Sequence, residues 1–484
     1  MSPPAIMFVF TAESYHREAA PVIDDFARRG WPVRVVLGFH SEHTRRIEEA
    51  CRKKGIPVEL VPAGAAYGKP ADAGDAGPVA PVAEIARETV WARVAGLLRE
   101  RLRRTGIGRL RHFPGYVAQC LRRRRIAEAL IGRLKPSAVV MGSYHSSGQI
   151  DNAVARACRR RSIPMYCIPN SPYLGTLTLR VGRLNHLEQG MASPGIRVRH
   201  GLINRVLGWL FPSWTSVLPD GDRAFYWDPL MMLAATLTGL QMNRLWLKPA
   251  LDFKRVFVFS DYSRDLLLAD GYPAGRIVVS APPLLDAVRE RIGDAAHEEA
   301  LFSHIRLPAG TPFVLFNVEP SAEHDYCDWD RHWRQFHETL AAVAACGLPV
   351  VLSLHPLCRI DNYRFAEAQY GVTISTDFRI HDLYPYCAIS VSFPCSTNLL
   401  ALTFEKPLVI YDHFGILTRD EESRTLNMIP GACVAQSAGE VAECVRTIAA
   451  GATERSGGFP RPPAGAARAA DIIFSTIEGD LSNA

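Results

Sequence analysis

The sequence predicts an α/β protein built from two doubly wound parallel sheets, in a chain of 484 residues. Short apolar runs alternate with amphipathic helical stretches along both halves of the chain, which indicates parallel strands joined by crossover helices. The length suits two domains of about 200 residues each. Hydrophobic residues make up 48% of the chain and charged residues 21%. This composition is typical of a globular protein with a large core and excludes a disordered or fibrous chain.

The first half begins with a regular alternation of strands and helices. We assign residues 1–177 to an N-terminal domain, with a surface loop rich in Gly, Ala and Pro at 63–80. The predicted strands of this domain are 6–10, 32–37, 58–61, 138–141 and 165–168.

Residues 178–250 break the alternation, and we predict a helical insertion there. The segment is rich in Trp, Leu, Met and Arg. Two interpretations stay open: a plain helical subdomain, or a surface that contacts a membrane through Trp209, Trp214 and Trp227.

An arginine run lies between residues 99 and 125, where ten arginines accompany one acid, Glu100. It is compatible with a solvated helix face, with an anionic lipid surface, or with an anionic acceptor substrate such as a lipid pyrophosphate. Nucleic acid is not expected, because no aromatic stacking platform is interleaved with the arginines.

The alternation resumes in the second half, and we assign residues 251–455 to a C-terminal domain with a second doubly wound sheet. Residues 456–484 are predicted to be a linker and a last helix. The predicted strands are 255–259, 276–280, 312–317, 349–354, 372–375, 388–391 and 408–411.

The eleven cysteines form no CxxC pair and no cluster with zinc-like spacing. We therefore expect free thiols in a reducing cytosol and no metal site. No signal peptide or run of about 18 apolar residues is recognised. The expected location is the cytoplasm, with the inner face of the cell membrane as a docking surface.

The pair His355-Pro356 follows the predicted strand 349–354. Ligands bind where parallel strands end, so this histidine is placed to donate a hydrogen bond to a phosphate. Proline fixes the turn that follows. The alternative is a turn without a binding role.

A second polar turn, FPCSTN, holds Ser396, Thr397 and Asn398 after the predicted strand 388–391. Hydroxyls and free backbone N–H groups at the start of a helix can bind an anion. The same residues would also serve as a simple helix N-cap.

The loop after strand 312–317 supplies a third element, with Glu319, Ser321 and His324 as candidates. Such a loop at a strand's carboxyl end can bind a phosphate or ribose, or position an acid or base. A solvated loop without function is the alternative.

In the N-terminal domain, Glu13 and His16 follow the first strand, and His145 follows strand 138–141. Each is a candidate catalytic base, because a carboxylate or imidazole can take a proton from an attacking hydroxyl. We favour Glu13, with His16 and His145 as alternatives.

Three stretches resemble GT-B glycosyltransferases. Residues 255–286 (RVFVFSDYSRDLLLADGYPAGRIVVSAPPLLD) resemble the start of their C-terminal domain. LPVVLSLHP (348–356) and VSFPCSTNLLALTFEKPLVIYD (391–412) resemble the donor half of CDP-glycerol polymer transferases, bacterial sialyltransferases and Kdo transferases. In the latter two families, an HP motif and a later serine or serine-threonine pair hold the CMP part of the donor.

The resemblance implies a GT-B fold of two Rossmann-like domains facing a cleft, with acceptor in the N-terminal domain and donor in the C-terminal domain. It implies that His355, Pro356, Ser396 and Thr397 bind a CMP-, CDP- or UDP-linked sugar. The implied activity is transfer of that sugar to a polysaccharide or glycolipid in bacterial cell-surface synthesis, without a redox cofactor or an essential metal.

UDP-N-acetylglucosamine 2-epimerases share this fold and a similar HP strand, so an epimerase is the competing enzyme class. A non-catalytic nucleotide-binding scaffold is the third. The sequence departs from the epimerases at Gly142-Ser143-Tyr144, where their strand-end aspartate would fall, and at Leu399-Leu400, where they carry an acidic pair.

Overall fold

The structure is a computed structural model, and within it the chain divides into two compact units. The first comprises the described residues of Met1–Thr176, Ser193–Pro283 and Ala469–Ala484, and the second those of Leu177–Ala192 and Leu284–Arg468. The residues that the structure describes are 4–40, 42–62, 107–142, 149–169, 180, 196–218, 220–240, 252–323, 327–355, 358–415, 431–452 and 467–483.

The strands of the first unit are β1 (Ile6–Phe10), β2 (Val33–Leu37), β3 (Val58–Leu60), β4 (Ala138–Met141), β5 (Met165–Cys167), β6 (Thr215–Val217), β7 (Arg223–Phe225), β8 (Arg255–Val258) and β9 (Ile277–Val279). Seven of them form a parallel sheet in the order β3-β2-β1-β4-β5-β8-β9, and β6 and β7 form a separate antiparallel hairpin. The sheet therefore grows in opposite directions from β1 and β4, as in a doubly wound fold.

Helices cover both faces of this sheet, which explains why a strand such as β1 is buried along its whole length and apolar throughout. The helices are α1 (Glu13–Arg28), α2 (Glu42–Lys53), α3 (Phe113–Leu134), α4 (Ile150–Arg160), α5 (Leu202–Leu210), α6 (Pro229–Thr238), α7 (Asp261–Ala269) and the C-terminal helix (Ala469–Ser482). One core lies under α3, α4 and α6, and the other under α1, α2 and the C-terminal helix.

The predicted domain boundary at 250/251 differs from the one in the structure. Strand β8 pairs with β5, with Arg255 opposite Tyr166, and β9 pairs with β8. Residues 252–283 therefore complete the first sheet. Alternating strands and helices show that a parallel sheet is present, but each new strand can either extend the old sheet or begin another.

The predicted insertion carries α5, the β6–β7 hairpin and α6 in its described part. The interpretation of this segment as a membrane-contacting surface is wrong for Trp214. That side chain is 5% exposed and stacks on Phe211 with ring centroids 4.0 Å apart. Trp227 is half-buried against the core, whereas Trp209 is exposed.

The arginine run is described only from residue 107 onward. Within α3, Arg123 is 2% exposed and thus does not belong to a solvated face, while Arg122 and Arg125 are exposed. Among the described helices, none is both long and apolar enough to cross a bilayer.

The second unit contains β10 (Val314–Val318), β11 (Val350–Leu354), β12 (Thr373–Ser375), β13 (Ile389–Ser392), β14 (Leu408–Tyr411) and β15 (Cys433–Ala435). All pair in parallel, in the order β12-β11-β10-β13-β14-β15. The order of growth reverses between the neighbours β10 and β13.

The helices of the second unit are α8 (Leu284–Arg291), α9 (Ala295–His304), α10 (Trp329–Ala344), α11 (Ile360–Tyr363), α12 (Phe365–Tyr370), α13 (Ile380–Leu383), α14 (Leu399–Thr403) and α15 (Ala438–Ala452). They cover both faces of this sheet, with one core under α10 and α15 and the other under α8 and α9.

The expectation that all cysteines are free thiols is corrected at one place. Cys433 in β15 and Cys444 in α15 form a disulfide, and the other nine cysteines are free. The two partners are eleven residues apart on adjacent elements, a spacing that has no zinc or CxxC signature.

Candidate functional site

Polar residues follow four strands of the second sheet at the same edge. Glu319 follows β10, His355 follows β11, the turn with Thr397 and Asn398 follows β13, and Asp412 and His413 follow β14. Because all these strands are parallel, their carboxyl ends share one edge. The crevice between β10 and β13, where strand order reverses, is the usual ligand position in a doubly wound sheet.

A hydrogen-bond network bridges that reversal point. The side-chain amide of Asn317, in β10, donates to Ser392 Oγ over 3.2 Å and to Thr397 Oγ1 over 3.1 Å. Cys395 Sγ lies 2.9 Å from Thr397 Oγ1 and 3.3 Å from Ser392 Oγ. The turn after β13 is thereby fixed to β10 by side chains from both strands.

Asn398 closes the turn from within. It is 3% exposed, and its Nδ2 donates to the backbone carbonyl of Phe393 over 2.7 Å. Ser396–Asn398 form one turn of 3-10 helix, followed by the five-residue α14. Because α14 has only five residues, hydroxyls and local N–H groups, rather than a long helix dipole, are available to a ligand. The side chain of Ser396 lies outside the described part.

Glu319 and Ser321 lie close together in the loop after β10. The hydroxyl of Ser321, which is 3% exposed, donates to Glu319 Oε2 over 3.0 Å. Burial raises the pKa of Glu319 to about 7, opposed by the Ser321 hydrogen bond and reinforced by the nearby Asp412 carboxylate. Close to neutral pH, both the protonated and the ionised forms of this carboxyl group are therefore populated.

His413 faces the same carboxylate, with Nε2 3.9 Å from Glu319 Oε2. Burial lowers the pKa of His413 to about 3, so its imidazole is neutral at pH 7 and the pair is not an ion pair there. A small pocket adjoins the two side chains, with an empty volume of about 240 Å³ that includes its open mouth. Its lining residues are Val318, Glu319, Ser321, His332, Gln335, Phe336, Phe393 and His413.

A second buried chain of hydrogen bonds supports the wall of this pocket. His332 Nε2 lies 2.9 Å from Tyr363 Oη, and Tyr363 Oη donates to Glu323 Oε1 over 3.0 Å. Burial lowers the pKa of His332, with a smaller opposing effect of Glu323. The loop after β10 is thereby connected to α10 and α11.

His355 lies immediately after β11, half-buried, and its backbone carbonyl accepts a hydrogen bond from the N–H of Cys358 over 2.8 Å. The predicted site residues Pro356 and His324 lie outside the described residues. In the second unit the structure thus brings Thr397 and Asn398 together in one turn and Glu319 and Ser321 together in one loop, at a common sheet edge with His355.

In the first unit, Glu13 is the first residue of α1 and His16 lies one turn later, directly after the carboxyl end of β1. His16 packs edge-on against Phe10, with ring centroids 5.5 Å apart. Burial lowers the pKa of His16 to about 4, an effect that Asp24 opposes and Lys54 reinforces, so the imidazole is neutral at pH 7. The third candidate base, His145, falls outside the described residues.

Asn317, Cys395 and His413 were not among the predicted site residues. Asn317 was detectable as the polar end of an apolar strand, and His413 as a histidine directly after β14. Cys395 carried no such signal, because a lone thiol in a turn is more often structural.

No protein-family model matches the chain, and no curated protein sequence matches it significantly. Solved structures do. The UDP-GlcNAc 2-epimerase of Methanocaldococcus jannaschii, in complex with UDP-GlcNAc and UDP, matches with a TM-score of 0.52 at 10% identity, covering 98% of this chain and 99% of that one. The UDP-GlcNAc 2-epimerase of Neisseria meningitidis, bound to UDP-GlcNAc, matches with a TM-score of 0.50 at 11% identity, covering 98% and 100%.

The calicheamicin glycosyltransferase CalG4 is also similar, with a TM-score of 0.48 at 14% identity and 99% of each chain covered. The epimerase matches extend over nearly the whole chain and agree with its two doubly wound sheets. The prediction of a GT-B-type α/β fold with two Rossmann-like sheets is therefore confirmed.

Proposed function

We propose that this protein is a nucleotide-sugar enzyme whose second unit binds the nucleotide at the carboxyl edge of its sheet, next to the β10–β13 reversal. The observation that carries the proposal is the Asn317–Thr397 network together with Glu319 at that reversal point. Ligands of doubly wound sheets bind in this crevice. The similar epimerase structures, which contain UDP-GlcNAc, support the ligand class.

The turn after β13 offers hydroxyl and amide groups at this edge. Such groups can bind a diphosphate through hydrogen bonds, without a cluster of cations. The hydroxyl of Thr397 and nearby backbone N–H groups would receive the phosphate oxygens, with His355 as a further donor. Glu319 would contact ribose hydroxyls, since a carboxyl group can accept hydrogen bonds from them. Such an arrangement stabilises the charge that develops on the leaving phosphate.

Among nucleotide-sugar enzymes, we propose a glycosyltransferase. The supporting observation is at Leu399-Leu400, where the resemblance to 2-epimerases requires an acidic pair. Leu400 is 7% exposed and belongs to the core under α8 and α9, so this position serves packing. The proposed acceptor, a bacterial cell-surface saccharide or glycolipid, rests on the resemblance of residues 348–356 and 391–412.

The test begins with binding. CMP, CDP, UDP and GDP are compared by thermal shift, because a nucleotide that binds the folded protein raises its melting temperature. We expect a rise for at least one of them. No rise with any of the four would overturn the proposed site.

A turnover assay then distinguishes a glycosyltransferase from an epimerase and from a non-catalytic scaffold. The purified protein is incubated with labelled sugar conjugates of the nucleotide that binds, with and without saccharide and lipid-linked acceptors. Acceptor-dependent transfer is expected for a glycosyltransferase. Epimerisation without acceptor would instead identify an epimerase, and binding without any turnover would identify a scaffold.

A further inference from the structure

Helix α5 presents an apolar face to solvent. Leu202 is 59% exposed, Val206 45% and Trp209 80%, and Leu210 beside them is 52% exposed. Positions 202, 206 and 209 are spaced by four and three residues, so they line one side of the helix. A tryptophan with four fifths of its surface in water is unusual for a side chain of this size.

The opposite side of α5 holds the helix firmly on the first unit. Leu207 and Gly208 are buried, and buried Asn204 donates through Nδ2 to the backbone carbonyl of Arg197 over 2.8 Å. A Cβ added at Gly208 would lie 2.9 Å from Val198 Cγ1. The helix therefore cannot rotate to bury its outer face, and the exposure of that face is built into the packing.

The one charged side chain of α5 is positive. Arg205 is exposed, and the helix contains no acid. The neighbouring acids are already paired: Asp220 and Asp222 both accept from Arg197 Nη1, over 2.7 and 2.5 Å, and Asp222 also pairs with Arg199. Within the described residues, Arg205 forms no ion pair, so its charge is available to a ligand.

We propose that α5 docks on an anionic lipid bilayer, lying in the plane of the interface with Leu202, Val206 and Trp209 inserted between the headgroups. Helices that bind at a membrane interface combine apolar side chains on one face, including a tryptophan, with a flanking basic residue. Helix α5 has this combination. A second copy of the chain fits this face less well, because a two-fold contact would place the positive face of one copy against the same positive face of the other.

The experiment uses the full chain and vesicles of two compositions, phosphatidylcholine alone and equal parts of phosphatidylcholine and phosphatidylglycerol. We expect co-sedimentation with the anionic vesicles, weaker binding to the neutral ones, and a decrease with added salt. Trp209→Ala should weaken binding to the anionic vesicles about tenfold, and Arg205→Gln should weaken it only when phosphatidylglycerol is present.

Leu202→Ala has a matched control in Leu268→Ala, which removes an exposed leucine of α7 in the same unit. Only the first should weaken vesicle binding, and circular dichroism should show both variants folded. Binding that is equal for both vesicle types, or that is unchanged in Trp209→Ala, would overturn the proposal. So would a dimer in sedimentation velocity that Trp209→Ala converts to monomer, since the face would then join two copies. None of these readouts depends on nucleotide binding.

Discussion

The side-chain amide of Asn317 donates to the hydroxyl of Thr397 over 3.1 Å, joining the end of β10 to the turn after β13. The two residues are 80 positions apart in the chain, yet β10 and β13, the strand that precedes the turn, are adjacent and parallel at the point where strand order reverses. The contact fixes the turn whose N–H and hydroxyl groups we assign to nucleotide phosphate.

Thr397→Val tests this relationship while it keeps the shape of the side chain. Loss of the hydroxyl removes both the contact with Asn317 and a donor to phosphate. We expect nucleotide affinity to fall by about 1–2 kcal/mol, measured by calorimetric titration.

The control is Thr476→Val, because the Thr476 hydroxyl also takes part in a hydrogen bond, which it donates to the backbone carbonyl of Ile472, but the residue lies in the C-terminal helix of the first unit. Equal affinities of the two variants for every nucleotide would show that Thr397 takes no part in binding.

His355→Ala should weaken nucleotide binding by about 1–3 kcal/mol, the range for a hydrogen bond to a charged group. The measurement is again titration with the nucleotide that gives the largest thermal shift. His337→Ala is the matched control, because His337 hydrogen-bonds Tyr370 within the same unit and is not assigned to the ligand. An affinity of His355→Ala equal to that of the wild type would remove this histidine from the site.

Glu319→Gln addresses the buried carboxyl group. The folded protein holds the pKa of Glu319 at about 7, above its ordinary value of 4.5. A raised folded-state pKa stabilises the fold at pH values below the unfolded-state pKa, and this contribution disappears as the pH rises through 7. The wild type should therefore lose about 2–3 kcal/mol of unfolding free energy relative to Glu319→Gln between about pH 4 and about pH 8.

Chemical denaturation of both proteins across this pH range measures the difference. Glu299→Gln, which changes an exposed glutamate of α9, serves as control and should track the wild type. A difference in unfolding free energy between Glu319→Gln and the wild type that stays constant at all pH values would contradict the shifted pKa.

If Glu319 also faces the nucleotide, the nucleotide affinity of the wild type alone should decline above pH 7, since the Glu319 carboxylate then repels phosphate.

Much of the fold could be predicted because strands buried on both faces are continuous apolar runs. Strands 6–10, 138–141 and 408–411 agree with the structure residue for residue. The strands that were missed are β6, β7 and β15, with three residues each. Length alone is not the reason, because β3, β5, β9 and β12 are equally short and were predicted; β6 and β7 instead form an antiparallel hairpin in a segment without the alternation of strands and helices. Which sheet β8 and β9 join depends on tertiary strand pairing, and the local sequence pattern does not show that pairing.

The same distinction applies to the candidate site. Glu319, Ser321 and Thr397 could be predicted because each follows a recognisable strand. Asn317 and His413 matter through neighbours that the chain brings together only after folding, so their environment could not be read from spacing. The pKa shifts of Glu319 and His413 are likewise products of burial.

Gly142→Ala tests the packing at the end of β4. A Cβ at this position would lie 2.0 Å from the ring of Tyr15, a buried residue of α1. Neither group can move freely, so we expect a loss of about 1–3 kcal/mol in unfolding free energy. Gly132→Ala is the matched control in α3, where the nearest atom is 3.8 Å away, and should stabilise the helix by about 0.5–1 kcal/mol. Similar melting temperatures for the two variants would contradict this close approach.

The catalytic base is the remaining question, and Glu13 is the proposed residue. An inverting transferase must remove the proton of the acceptor hydroxyl as the donor bond breaks, which requires a carboxylate or imidazole within hydrogen-bond reach. Glu13 begins α1 at the carboxyl end of β1 and is partly exposed. His16 is neutral at pH 7, and thus able to accept a proton, but it packs against Phe10.

Glu13→Gln keeps the size of the side chain and removes its basicity. We expect turnover to fall about 10²–10⁴-fold, while nucleotide affinity stays at the wild-type value because the nucleotide is assigned to the second unit. Glu49→Gln, an exposed glutamate of α2 in the same unit, should leave both quantities unchanged. Near-normal turnover of Glu13→Gln would exclude this residue and direct the search to His16→Ala and His145→Ala. If all three variants turned over normally, the reaction could not use a general base from these loops, which would favour a retaining mechanism.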